Sequence, residues 1–176
     1  ADKDTALAVK LIAFTGFRPG SDADTQAKTK AYGATTLESQ HVRVDGDTMH
    51  FDFIGKEGVR QQHELTDSAM AKEIRERAAK GGRLFQTSQT KALAYMKQTM
   101  GSDEFKTKDL RTWIGTTTGY AKVTEMPAPK TQKELKASVN AVAEHVSRRL
   151  GNAPSMALAR YIDPAVFNSW RAGVGA

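Results

Sequence analysis

Cysteine is absent from the 176 residues, which excludes disulfides, thiolate nucleophiles and cysteine-built zinc sites. That absence fits a reducing compartment. No apolar run approaches the roughly 18 residues that cross a bilayer. The most apolar stretch, 6–16, reads as an amphipathic helix, and no stretch reads as a signal peptide. The chain opens inside that helical pattern, which raises the expectation that the fold continues upstream. Four histidines, His41, His50, His63 and His145, fall at no metal-ligand spacing, so no metal site is expected. Internal repeats and low-complexity tracts are missing as well.

What is present is enough for a folded domain. Apolar residues make up 39% of the chain, which supports a core and argues against wholesale disorder. The length fits one compact domain, or one domain with an appendage. A formal net charge of +6 suits a polyanionic partner without demanding one.

The apolar period identifies the elements. Residues 4–15 pattern as a helix with Leu7, Val9, Leu11, Ile12 and Phe14 placed for burial, ended by Gly16 and an Arg18-Pro19-Gly20 turn. A polar, lysine-bearing loop follows through Lys30. From His41 to Leu65 the period becomes two: 41–44, an Asp45-Gly46 turn, 49–54, a Gly55–Gly58 turn, then 59–65. This predicts a small three-stranded antiparallel sheet with Lys56 at its outer tip. Helices are predicted from a Thr66 or Asp67 cap to about Lys80, over 88–100, and over 107–118 with Thr107 as N-cap. Pro127 and Pro129 stiffen a connector. The cleanest helix runs from 131 or 132 to Leu150, with Leu135, Val139, Val142, Val146 and Leu150 on one stripe and Gly151 closing it. A short helix from Pro164 is expected to carry Val166, Phe167 and Trp170 into the core. The fold class is therefore α+β and mostly helical, in a single domain over 1–176.

Chemistry concentrates in Lys106-Thr-Lys-Asp-Leu-Arg-Thr-Trp113, Leu150-Gly-Asn-Ala-Pro154 and Ala159-Arg-Tyr-Ile-Asp-Pro164. Lys108 and Arg111 share one predicted helix, and Tyr161 follows beside Arg160 and Asn152. A tyrosine among cations has the parts for attack on a phosphodiester. Free phenol titrates near ~10, so only about one in a thousand is ionised at neutral pH. Fixed positive charge offsets that deficit and stabilises the charge that grows on phosphorus oxygens. A lysine that protonates the departing alkoxide removes the other obstacle. Taken alone, Arg18 and Lys56 read as solvated charges, Tyr161 as a core residue, and Arg111 as the partner of Asp109 or a glutamate on a helix whose apolar positions are Leu110, Trp113 and Ile114.

The order Arg18, Lys56, Lys108, Arg111, Asn152, Tyr161 resembles the type IB DNA topoisomerases, in their small poxvirus-like and bacterial branch. Six blocks carry the resemblance in order: Gly16-Phe-Arg-Pro-Gly20, Tyr32-Gly-Ala-Thr-Thr-Leu37 with His41-Val42, Phe53-Ile-Gly-Lys-Glu-Gly58, Lys108–Trp113, Leu150–Pro154 and Arg160–Pro164. The resemblance implies a catalytic fold shared with tyrosine recombinases, here without the N-terminal domain that clamps DNA. It implies that Arg18 and Arg111 hold the scissile phosphate, that Lys56 protonates the leaving 5′ oxygen with Lys108 in support, and that Tyr161 is the nucleophile. Asn152 stands nine residues before Tyr161, where the poxvirus pattern has histidine; its amide donates a hydrogen bond but neither carries charge nor titrates.

Double-stranded DNA is the implied partner, met by a monomer without cofactor, ATP or obligatory metal. Lys28, Lys30, His41, Lys106, Arg148 and Arg160 are the candidate DNA contacts, with Lys91, Lys122 and Arg149 in a wider set. The implied location is wherever DNA lies, in cytoplasm or nucleoid or in a virus, and not outside the cell. Two alternatives stand beside this reading. A tyrosine recombinase uses a similar set but carries His-x-x-Arg where this chain has Lys108-Asp-Leu-Arg111. A DNA-binding module that kept the fold and lost turnover is the other.

Overall fold

The computed structural model describes residues 3–174 and divides into two compact units, Ala1–Thr107 and Lys108–Ala176. Among the described residues no helix is long and apolar enough to cross a membrane. The α+β, mostly helical class is observed, with one three-stranded antiparallel sheet.

The first unit opens with α1 (Lys3–Thr15) and α2 (Asp22–Gln26), then runs through two 3-10 turns, Ala34–Thr36 and Ser39–His41, into the sheet. Strands β1 (Val42–Asp45), β2 (Thr48–Ile54) and β3 (Arg60–Thr66) lie in the order β1-β2-β3. Register pairs Val42 with Phe51 and Phe51 with His63, so Met49, Phe51 and Phe53 of β2 all enter the core while His50, Asp52 and Ile54 face outward. Period two thus sorts the faces as expected. Phe17 packs edge-on against Phe51, Phe53 and His63. Helix α3 (Ser68–Ala78) starts at Asp67, whose carboxylate accepts from the Met70 amide at 2.7 Å and binds Lys10 at 2.8 Å. Helix α4 (Gln89–Met100) is capped by Ser88 and stopped by left-handed Gly101.

Several boundaries differ from expectation. In α1 only Leu11 and Ile12 of the five expected residues are buried; the true stripe is Thr5, Ala8, Leu11, Ile12 and Thr15. Phe14 is exposed beneath the Lys10 ammonium. A buried Thr5 hydroxyl meets that of Thr87, so a polar pair occupies a place that apolar counting assigned to Leu7 or Val9. The loop after Gly20 contains α2, capped by Ser21. His41 closes a 3-10 turn just ahead of β1 and does not start the strand.

In the second unit, α5 (Thr107–Glu125) begins at Thr107 itself and runs one and a half turns or more beyond the expected end at Thr118. Three consecutive threonines and Gly119 weaken intrinsic helicity. Tertiary packing overrides them: Gly119 presses on Val142, Val146 and Ile162, and Val123 is buried. Helix α6 (Gln132–Leu150) matches expectation, with Thr131 as N-cap and left-handed Gly151 at its end. Val142, Val146 and Leu150 are buried, with Leu135 and Val139 at the rim. A helix that the sequence reading omitted, α7 (Pro154–Arg160), uses Pro154 in its first turn, and a 3-10 turn (Pro164–Phe167) leads to α8 (Asn168–Val174). Val166, Phe167 and Trp170 do reach the core, alongside Ile114, Ala157, Tyr161 and Ile162.

Candidate functional site

In the first unit, Arg18 sits in a turn held by backbone. Its carbonyl accepts from Ala34 N–H at 2.8 Å, and Pro19's accepts from Thr35 N–H at 2.7 Å. The Thr35 hydroxyl also donates to the Pro19 carbonyl, and Arg83 donates twice to the Thr35 carbonyl. Gly33 makes this approach possible: a Cβ there would lie 2.5 Å from the Arg18 carbonyl oxygen and 2.5 Å from the Gly20 nitrogen. Those neighbours are backbone and cannot swing aside. Gly33→Ala is therefore expected to cost about 3 kcal/mol, the upper end of overpacking, read by urea unfolding.

The same segment reaches the sheet. Tyr32 N–H donates to the Ile54 carbonyl at 2.8 Å, at the root of the turn that carries Lys56. Thus one short stretch, 32–36, grips both the Arg18 turn and the base of the Lys56 hairpin. Lys56 is exposed at the tip, as expected, and the neighbouring Glu57 takes a left-handed backbone (φ 65°). His41 accepts from the Glu38 amide through Nδ1 at 3.0 Å and lies against the Tyr32 ring. Burial holds its imidazole below the ordinary range, so at neutral pH it is uncharged with its proton on Nε2. Lys28, Lys30 and Lys106 are exposed.

In the second unit, α5 presents Lys108 to solvent and buries Arg111, which is 4% exposed. The Arg111 guanidinium lies 4.9 Å from the Tyr161 ring centroid, and Nη2 donates to the Leu150 carbonyl at 3.0 Å. Leu150 ends α6, where unpaired carbonyls concentrate negative charge, so a cation there satisfies the helix end and is itself solvated by it. Gly151 then reverses the chain, and the Asn152 amide N–H turns back to the Ser147 carbonyl at 3.2 Å. Both polar atoms of the Asn152 side chain are buried and have no hydrogen-bond partner among the described residues. An orphaned amide of this kind is unstable unless something supplies its partner.

Tyr161 caps the C-terminal end of α7, its N–H bonded to the Ala157 carbonyl at 3.0 Å. It is 5% exposed and belongs to the core cluster. Of the four catalytic candidates in this unit, the structure joins Arg111 to Tyr161 directly and to the Asn152 turn through Leu150. Lys108 lies one turn before Arg111 on α5, and Arg148 and Arg160 are exposed. Trp113, expected among the apolar positions of α5, is instead 62% exposed. Sequence reading missed Gly115 and Thr116, which contact the Tyr161 backbone; their only signal was their place one turn after Arg111.

Charge is divided unequally. Residues 108–176 hold ten Lys and Arg against five Asp and Glu, while 1–107 hold sixteen against fifteen. Nearly all of the net positive charge therefore accompanies Tyr161 and Arg111. Among the described residues no group of three or more His, Asp or Glu is placed to hold a metal ion.

The second unit thus sets a buried arginine over a tyrosine, beside a buried amide and in a basic setting. The sequence model of the eukaryotic DNA topoisomerase I catalytic core matches residues 1–164. The chain belongs to that family, the type IB topoisomerases, and its substrate is DNA. No curated protein matches the chain significantly.

Proposed function

We propose that this chain relaxes supercoiled DNA by nicking one strand through a 3′-phosphotyrosyl link on Tyr161, allowing the free strand to rotate, and resealing it without ATP. The observation that carries the reading is the Arg111 guanidinium held 4.9 Å from the Tyr161 ring centre. In the cleavage step the phenolic oxygen bonds to phosphorus and the phosphorus–O5′ bond breaks. The phenolic proton passes to solvent water, the departing O5′ receives one from the Lys56 ammonium with Lys108 supporting that transfer, and Lys56 regains its proton from solvent. Arg18 and Arg111 neutralise the non-bridging oxygens, and Asn152 Nδ2 donates to one of them, which supplies the acceptor that this N–H lacks among the described residues. Religation is the reverse: the 5′ hydroxyl attacks and Tyr161 departs. No co-reactant is consumed.

Under this reading the protein acts as a monomer within the small poxvirus-like and bacterial branch, wherever DNA lies in nucleoid, cytoplasm or virus. Lys28, Lys30, His41, Lys106, Arg148 and Arg160 contact the duplex, His41 as a neutral donor. The decisive experiment mixes the protein with supercoiled plasmid in the absence of ATP and magnesium. Stepwise relaxation is the expected result. Recombination between two specific sites without relaxation would favour a tyrosine recombinase, and DNA binding without any covalent adduct would favour a non-catalytic module.

Asn152 gives a pH prediction. An amide does not titrate, so cleavage carries no inflection from this position. Asn152→His places a group there that is cationic below ~6.5 and neutral above it. The ratio of variant to wild-type cleavage rate is then expected to fall as pH rises through ~6.5, measured in single turnover. A ratio flat from pH 5.5 to 8 would place the side chain away from the phosphate.

A further inference from the structure

Resting on the assignment of Tyr161 as nucleophile, we infer that Gly115 and Thr116 are positioning residues that fix the backbone carrying the phenol. Arg111 touches the ring, but a ring is only as well aimed as the chain that holds it. The Tyr161 segment lies between α7 and the 3-10 turn from Pro164, in a stretch without regular structure of its own, Tyr161 to Asp163. Two residues of α5 grip it there.

The Thr116 hydroxyl makes two bonds to this stretch. It donates to the Tyr161 carbonyl at 3.4 Å and accepts from the Asp163 N–H at 3.1 Å. One hydroxyl thus ties the peptide units on both sides of Ile162 to α5. Asp163 is itself committed, its carboxylate accepting from Ala165 N–H at 2.8 Å to cap the next turn. Ile162, between the two ties, is buried and faces Gly119 one turn further along α5. The grip is therefore polar at Thr116 and apolar at Gly119.

Gly115 sets the distance. A Cβ on it would lie 2.4 Å from the Tyr161 carbonyl oxygen and 3.0 Å from the Tyr161 Cβ. No side chain larger than hydrogen fits without pushing the tyrosine backbone away from α5. Arg111 sits one helical turn earlier on the same helix. The guanidinium over the ring and the hydroxyl under the backbone are consequently parts of one helix, so α5 couples the phenol's aim to Arg111, beside the bond that ties Tyr161 N–H to Ala157 of α7. In-line attack is sensitive to such aim: a misplacement of about 1 Å costs on the order of 100-fold in rate.

The test separates aim from folding and from DNA affinity. Thr116→Val keeps the shape and removes the hydroxyl; Thr116→Ser keeps the hydroxyl and removes the methyl. Single-turnover adduct formation on a nicked-duplex suicide substrate, at saturating protein, is measured beside DNA binding by the Tyr161→Phe form of each variant. Thr116→Val is expected to slow adduct formation by about 10- to 100-fold with binding changed less than about twofold, and Thr116→Ser to stay within about threefold of wild type. Gly115→Ala is expected to lose at least as much rate as Thr116→Val. Wild-type rate in Thr116→Val, or equal losses in the Val and Ser variants, would overturn the positioning role while leaving the nucleophile intact. An absence of adduct from wild-type protein would instead overturn the assignment of Tyr161, and this inference with it.

Discussion

A Tyr161→Phe protein is expected to bind DNA as wild type does, to unfold at nearly the same temperature, and to form no covalent adduct. The substitution removes one oxygen and nothing else. The ring stays in the cluster with Ile114, Val146, Ile162 and Phe167, where it is 5% exposed. Its face stays available to the Arg111 guanidinium, so that contact, about 1 to 2 kcal/mol when desolvated, survives. The backbone ties to Ala157 and Thr116 do not involve the side chain at all. Stability is therefore predicted to change by less than about 1 kcal/mol. Activity has no such reserve under the proposed mechanism, in which the Tyr161 oxygen is the attacking atom, and relaxation should drop by at least ~10⁴-fold. The checks are a denaturant-trapped protein–DNA adduct, plasmid relaxation and a melting curve. A trapped adduct that persisted in the phenylalanine variant would assign the nucleophile elsewhere.

Those same contacts explain what could be read from the sequence and what could not. The sheet was legible because it is short, local and period two, with turns at Gly46 and at Gly55 to Gly58 that only a few residue types occupy. Helix α6 was legible because its stripe and both of its caps agree. The end of α5 was not legible: Thr116, Thr117, Thr118 and Gly119 read as a stop, and only the packing of Gly119 on Val142, Val146 and Ile162 reveals why the helix continues. Helix α7 escaped because a seven-residue helix has too few turns to show a period. At the site, the ordered blocks pointed to Arg111, Asn152 and Tyr161, and the structure joins them in one unit. What sequence order could not convey is that Arg111 is buried and bonded to the end of α6. On the pattern of Leu110, Trp113 and Ile114 it had looked like a surface residue with an acidic neighbour. A glycine such as Gly33 or Gly115 likewise looks ordinary until the backbone atom that excludes its Cβ is known.

Arg111→Lys is expected to lose both stability and rate, and the manner of the loss distinguishes two duties of one guanidinium. Lysine keeps the charge but offers a compact ammonium in place of a planar fork. The fork now lies over the Tyr161 ring, Cζ 4.9 Å from its centroid, while one arm reaches the Leu150 carbonyl at 3.0 Å. An ammonium satisfies one of these and forfeits the geometry of the other. Because the side chain is 4% exposed, water does not replace the lost contact, and a cost of about 1 to 3 kcal/mol follows. In the proposed cleavage step the missing fork removes a donor from the developing phosphorane, worth on the order of 10²- to 10³-fold in rate. Arg111→Ala should be worse on both counts, since it also leaves the end of α6 uncapped. The structural duty is isolated by a double-mutant cycle for unfolding between Arg111→Lys and Leu150-flanking Gly151→Ala, and by a second between Arg111→Lys and Tyr161→Leu. Coupling of about 0.5 to 2 kcal/mol is expected in the tyrosine cycle. The catalytic duty is isolated by single-turnover cleavage at temperatures well below each variant's melting point. If Arg111→Lys melted early yet cleaved at the wild-type rate, the guanidinium would be a strut for α6 and no part of the phosphate clamp.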